Sequence, residues 1–146
     1  MAGDSIIAIS ASGLDFQHKR LETIASNIAN ANVTRSQSGQ VYRPLEVVGF
    51  SDVDGGDGLS ASGLSLQTDA LQGVGEFEVV ERNTPARKVY DPTHPDADAQ
   101  GYVEYPGVDQ VVEMTNMLTA TRAYEANIKA IQAAKSMAMK ALEIGE

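Results

Sequence analysis

Residues 108–144, VDQVVEMTNMLTATRAYEANIKAIQAAKSMAMKALEI, contain neither Gly nor Pro. Met117, Tyr124, Ile131 and Ala138 recur every seven residues, with Met114, Leu118, Ile128, Ala134, Ala141 and Leu142 on the same broad face. Pro106-Gly107 stands before the run and Gly145 after it. An apolar repeat of seven, punctuated at both ends, predicts one uninterrupted amphipathic helix. At 1.5 Å per residue a run of 37 residues would be about 55 Å long. A compact globule of this chain length has a diameter of roughly 38 Å. The helix would outrun the globule, so its apolar face needs another long helix, from the same chain or from a neighbour.

A second such segment lies at the other end. From Ser5 to about Ala31 the positions Ile7, Leu14, Leu21 and Ile28 repeat at seven, and Ile24, Ala25 and Ala31 fill the neighbouring stripe. Gly13 costs a helix about 1 kcal/mol relative to Ala, which leaves room for a kink or looser first turns there. Asn30, Asn32 and Thr34 supply helix-ending chemistry. Between the helices, Tyr42 to Phe50 is β-prone, and Ser51 to Gly63 is rich in Gly, Asp and Ser and reads as a flexible loop. Alternating patches follow at Leu64–Leu66, Phe77–Val79, Val89-Tyr90 and Tyr102–Tyr105, with turns at Asn83-Thr84-Pro85 and Asp91-Pro92. The expected fold is α+β: an N-terminal helix (1–32), a small, mostly antiparallel β-rich middle (33–107, its flexible loop at about 51–63) and a C-terminal helix (108–146).

The 146 residues carry a net charge of −9, distributed unevenly. Residues 1–45 sum to +1, residues 46–107 to −9 and residues 108–146 to −1. Nearly neutral ends flanking an acidic middle suggest ends packed against protein. No basic cluster offers a nucleic-acid surface. Absence of Cys excludes disulfides, thiolate metal sites and a Cys nucleophile. The start lacks the pattern of a cleaved secretory signal, and no window reaches the length of a membrane span, so export would use a route that reads no cleaved signal, without membrane insertion.

Searches for chemistry end in structural explanations. Asp52-Val53-Asp54-Gly55-Gly56-Asp57 resembles a calcium loop but places Gly56 at the third ligand position and Gly63 where the bidentate Glu belongs. His94, within Asp91–Asp98, could serve a metal or an acid/base pair, yet the flanking prolines point to a rigid turn. His18 sits beside Lys19 and Arg20 on a helix. No nucleophile elbow, phosphate loop or His-Glu-x-x-His occurs. The Asn32-Val33-Thr34 sequon and the echo of Ile9–Leu14 in Leu59–Leu64 are short patterns that arise by chance. Four of the five methionines fall between Met114 and Met139, where ordinary helix packing accounts for them. Neither catalytic residues nor a cofactor or metal is expected.

The helical vocabulary is more specific. Leu21-Glu22-Thr23-Ile24-Ala25-Ser26-Asn27-Ile28-Ala29-Asn30-Ala31-Asn32 mixes small residues with amides. Small side chains allow close backbone approach, and amides fix register by directional hydrogen bonds. This segment resembles the N-terminal signature of the flagellar rod, hook and hook-associated axial protein family. Met114-Thr115-Asn116-Met117-Leu118-Thr119-Ala120-Thr121-Arg122-Ala123-Tyr124-Glu125-Ala126-Asn127 looks like the matching C-terminal signature. Arg87–Asp98 and Gly101–Asp109, together with the short chain, look like the proximal rod branch. The resemblance covers nearly the whole chain apart from about Val47 to Gly75.

It implies terminal helices forming the inner tube of a rod that transmits torque from motor to hook, and a β-rich domain outside. It also implies export by the flagellar type III apparatus and a place in the rod within the periplasm. The implied partners are copies of the chain, homologous rod subunits, and basal-body ring and rod-base proteins. On this reading Leu21, Ile24, Asn27, Ile28, Asn30, Leu118, Tyr124, Asn127, Ile128 and Ile131 are interface or inter-helix positions. A soluble helical-hairpin binding module with a β recognition domain, or another rod or hook family member, stands as the alternative. An enzyme centred on His94 and its acids stands behind both.

Overall fold

Asp109 begins the longer helix by capping it: its Oδ1 accepts the backbone N–H groups of Val111 at 2.9 Å and Val112 at 3.2 Å, satisfying two of the donors a helix start leaves unpaired. In the computed structural model, which describes residues 2–34, 39–49 and 74–144, the helix runs from Gln110 to Ile144. The threonines within it do not break it, because Thr115, Thr119 and Thr121 each donate to a carbonyl four residues back.

The elements in chain order are α1 (Ala2–Asn30), β1 (Leu45–Gly49), β2 (Phe77–Glu81), β3 (Arg87–Tyr90), β4 (Tyr102–Tyr105) and α2 (Gln110–Ile144). At 29 and 35 residues the helices are about 43 and 52 Å long. They pack as an antiparallel pair. Gly13 lies against Asn127 and Asn27 against Glu113, so a step of 14 residues along one helix matches 14 along the other. At Gly13 the helical assignment of α1 is continuous, and a Cβ on Gly13 would stand 2.8 Å from Asn127 Nδ2. The missing side chain lets α2 approach.

On α2 the residues facing α1 are Glu113, Met117, Ala120, Tyr124, Asn127, Ile131 and Ala134, spaced alternately by four and three, the 3.5-residue repeat of coiled-coil packing. Glu113, Ala120 and Ala134 are buried. On α1 the buried positions are Ser10, Thr23, Ile24 and Asn27, followed by Ala31 just past the helix. The heptad line Ile7, Leu14, Leu21, Ile28 lies to one side of these, with Ile7 exposed and the others half-buried. The offset has a physical cause: α1 is covered by α2 and also by β1, so the most enclosed residues lie between those two contacts.

Among the described residues the β region is two separate antiparallel pairs. β1 pairs with β2 from Leu45↔Glu81 to Gly49↔Phe77, and β3 with β4 from Arg87↔Tyr105 to Tyr90↔Tyr102. Phe77 meets Phe16 of α1 edge to face at 6.0 Å, seating β2 on the helix. Val103 is fully enclosed, as are Pro44 and Pro106. Gly107 is required by close approach: a Cβ there would stand 2.4 Å from the Pro85 carbonyl oxygen. The reversal between β3 and β4 holds itself by Asp91 N–H donating to Gly101 O and Asp98 N–H to Tyr102 O, with Gly101 at φ +82°. The expected loop at 51–63, the acidic stretch Asp52–Asp57 and the patch Leu64–Leu66 lie outside the described residues.

Candidate assembly interface

Asn27, on the last turns of α1, is completely enclosed. Its Oδ1 accepts from Leu45 N–H at 2.8 Å and from the Tyr42 hydroxyl at 2.9 Å. Its Nδ2 donates to Leu45 O at 2.9 Å and to Glu113 Oε2 at 3.4 Å. The carboxamide pairs with both backbone groups of Leu45, as a neighbouring strand would. Glu113, equally enclosed, takes Arg82 Nη1 on its other oxygen at 3.1 Å. Arg82 also lies 3.6 Å from Glu46 and donates its own backbone N–H to Pro44 O at 2.7 Å. A buried carboxylate is tolerated only with such partners. Sequence reading placed Asn27 but not Glu113, Arg82 or Tyr42. The signal for Glu113 was its position, seven residues before Ala120 and fourteen before Asn127, on the α2 line that faces α1.

The other expected positions fall into two groups. Ile24 is buried, and Leu21, Ile28, Asn30, Tyr124, Asn127, Ile128 and Ile131 are half-buried. Asn30 Nδ2 donates to Ser26 O, tying off the last turn of α1. Leu118 is 53% exposed. It continues a face of α2 turned away from α1, shared by Val111 and by Met114 at 57% exposure. Continuing the register of the helix pair sets Ala2 opposite Ala138, so Met139–Ile144 run beyond the start of α1. Every residue from Lys135 to Ile144 is exposed, Leu142 at 75% and Ile144 at 86%. Gln17 Oε1 is the single buried side-chain polar atom without a hydrogen-bond partner among the described residues.

The positions tested for chemistry have local structural partners. His94 Nδ1 accepts Asp96 N–H at 3.1 Å, and its ring meets Tyr105 at 6.4 Å. Hydrogen bonds from the Thr93 hydroxyl and backbone hold the Asp91 carboxyl below its ordinary pKa. His18 lies 3.5 Å from Glu22 on the exposed side of α1. Glu22 is likewise held below its usual range, chiefly by its hydrogen bond from Lys19. No group of three His, Cys, Asp or Glu capable of holding a metal, and no helix long and apolar enough to cross a membrane, occurs among the described residues.

A long antiparallel helix pair, apolar on faces it does not cover itself and joined by a small β region, defines an axial assembly subunit. Comparison with known proteins narrows the class. The family model "Flagella basal body rod protein" matches residues 7–36, and "Flagellar basal body rod FlgEFG protein C-terminal" matches residues 99–144. The chain is 40% identical over 146 residues to the flagellar basal-body rod protein FlgC of Salmonella typhimurium, covering 100% of both chains. It is 40% identical to FlgC of Bacillus subtilis (94% of this chain, 95% of that one) and 36% identical to FlgC of Borreliella burgdorferi (96% and 95%). The chain belongs to the FlgC family of flagellar basal-body rod proteins. That family is structural, not enzymatic.

Proposed function

We infer that the chain is a proximal rod subunit whose terminal helices (1–32 and 108–146) build the inner tube of the rod and whose middle (33–107) lies outside it. In this role it joins other rod proteins in the basal body and helps carry torque from motor to hook. The observation that carries the reading is the uncovered apolar surface of α2. Met114 and Leu118 project from a face that α1 does not reach, and Leu142 and Ile144 lie beyond its start. Apolar side chains at such spacing on a rigid helix are suited to packing against further helices. Of the ten expected interface positions, Leu118 is the one turned to a neighbour. The remainder brace the helix pair that presents it.

The same reading implies delivery through the flagellar type III apparatus, a position in the periplasm, and contact with ring and rod-base proteins. Both the binding-module alternative and the rod reading use the hairpin that α1 and α2 form. The hairpin covers one face of α2 only, which favours assembly.

Leu118→Glu tests this reading, since the side chain is exposed and its replacement leaves the internal contacts of the monomer in place. The expected outcome is a purified protein with unchanged thermal unfolding and cells without complete rods, scored by cryo-EM of basal bodies and by motility. Normal rods and swimming in that strain would overturn the proposed interface.

A further inference from the structure

Between the helix pair and the β region the described residues 31–34, 39–44 and 106–109 lie outside the helices and strands. These residues are not part of a helix or a strand ladder, so element geometry alone does not fix the angle there. The Asn27–Glu113–Arg82 cluster fixes it. Asn27 holds Leu45 at the first residue of β1, Glu113 ties Asn27 to the first turn of α2, and Arg82, just past β2, closes the set. Three elements and the residue that follows β2 meet at one group of hydrogen bonds. Its two central side chains are removed from water, where bonds are electrostatically stronger and an unpaired member is costly.

We propose that this cluster is a fixed joint which passes twisting force between the β1–β2 pair and the helix pair once the subunit stands in the rod. The inference rests on the rod reading above. Asn27, Glu113 and Arg82 act here as positioning residues, keeping the β1–β2 pair from turning on the helices under load.

Asn27→Asp keeps the shape and both acceptor contacts but loses the donor to Leu45 O and Glu113, and sets a second carboxylate against the first, which repels it. Combining it with Glu113→Gln restores an amide–carboxylate pair with the roles exchanged. The strains are compared for basal bodies per cell, for thermal unfolding of the purified full chain, and for swimming speed in media of increasing viscosity.

The expected result is that Asn27→Asp cells build rods but lose swimming as viscosity rises, and that the double replacement regains it. Two results overturn the joint: wild-type swimming at every viscosity, or rods lost in step with thermal stability while the remaining motile cells swim normally. If Asn27→Asp cells build no rods, the milder Arg82→Lys, at a half-exposed position, is read by the same criteria. Motility retained after deletion of the whole chain would instead overturn the rod reading itself.

Discussion

A carboxamide offers a donor and an acceptor side by side, so it can pair with both the N–H and the C=O of one residue, which a carboxylate cannot do. Asn27 uses this against Leu45. The amide-rich segment Leu21–Asn32 therefore spends Asn27 on a distant strand of the same chain and Asn30 on the last turn of its own helix. Glycines divide in the same way, according to what surrounds them. Gly13 makes room for the end of a flexible side chain, whereas Gly107 faces the backbone oxygen of Pro85 and the side chain of Thr84. Backbone cannot swing aside as a side chain can. Gly107→Ala is expected to destabilise the monomer by roughly 1–3 kcal/mol, the usual cost of overpacking, measured by urea unfolding; an unchanged midpoint would show that the 84–85 segment yields freely.

At the scale of elements, both helices were legible in sequence because nothing interrupts the C-terminal run and because its seven-residue repeat names one face. Met117, Tyr124 and Ile131 do lie on the α2 line facing α1. On α1 the heptad line of large aliphatic residues lies to one side of the enclosed positions, since hydrophobicity alone marks Ile and Leu, while the enclosed positions include Ser10, Thr23 and Asn27. Strands β2, β3 and β4 follow the alternation of their residues, but their separation into two sheets does not, because pairing is a long-range choice. Ile131 and Leu118 should behave differently although both are apolar and on α2. Ile131→Asn removes a half-buried contact between the helices and is expected to lower thermal stability by about 2 kcal/mol as well as blocking rod incorporation. A stable protein with normal rods would place Ile131 outside the helix contact.

For the whole molecule, the antiparallel register leaves α2 longer than its partner. Lys135 and Lys140 lie in the exposed final stretch, where a helix lacking tertiary contacts opens readily. Trypsin is expected to cut the purified chain first after these lysines and to spare them in isolated basal bodies. Equal cutting in both, or none in a proven monomer, would count against the covering of this end in the rod.

Sequence by itself determined that the chain has two long helices at its ends, a β-rich acidic middle and paired terminal signatures, because periodicity, punctuation and charge are local and additive along the chain. It also identified Asn27 as a residue worth attention. Only the tertiary structure decided which side chains are spent inside the subunit and which are left for a neighbour. Asn27 and Leu118 look equally suited to an interface when read as letters, yet one is enclosed by Leu45, Tyr42 and Glu113 and the other stands open. That difference depends on residues brought together from 86 positions apart, and no local pattern encodes it.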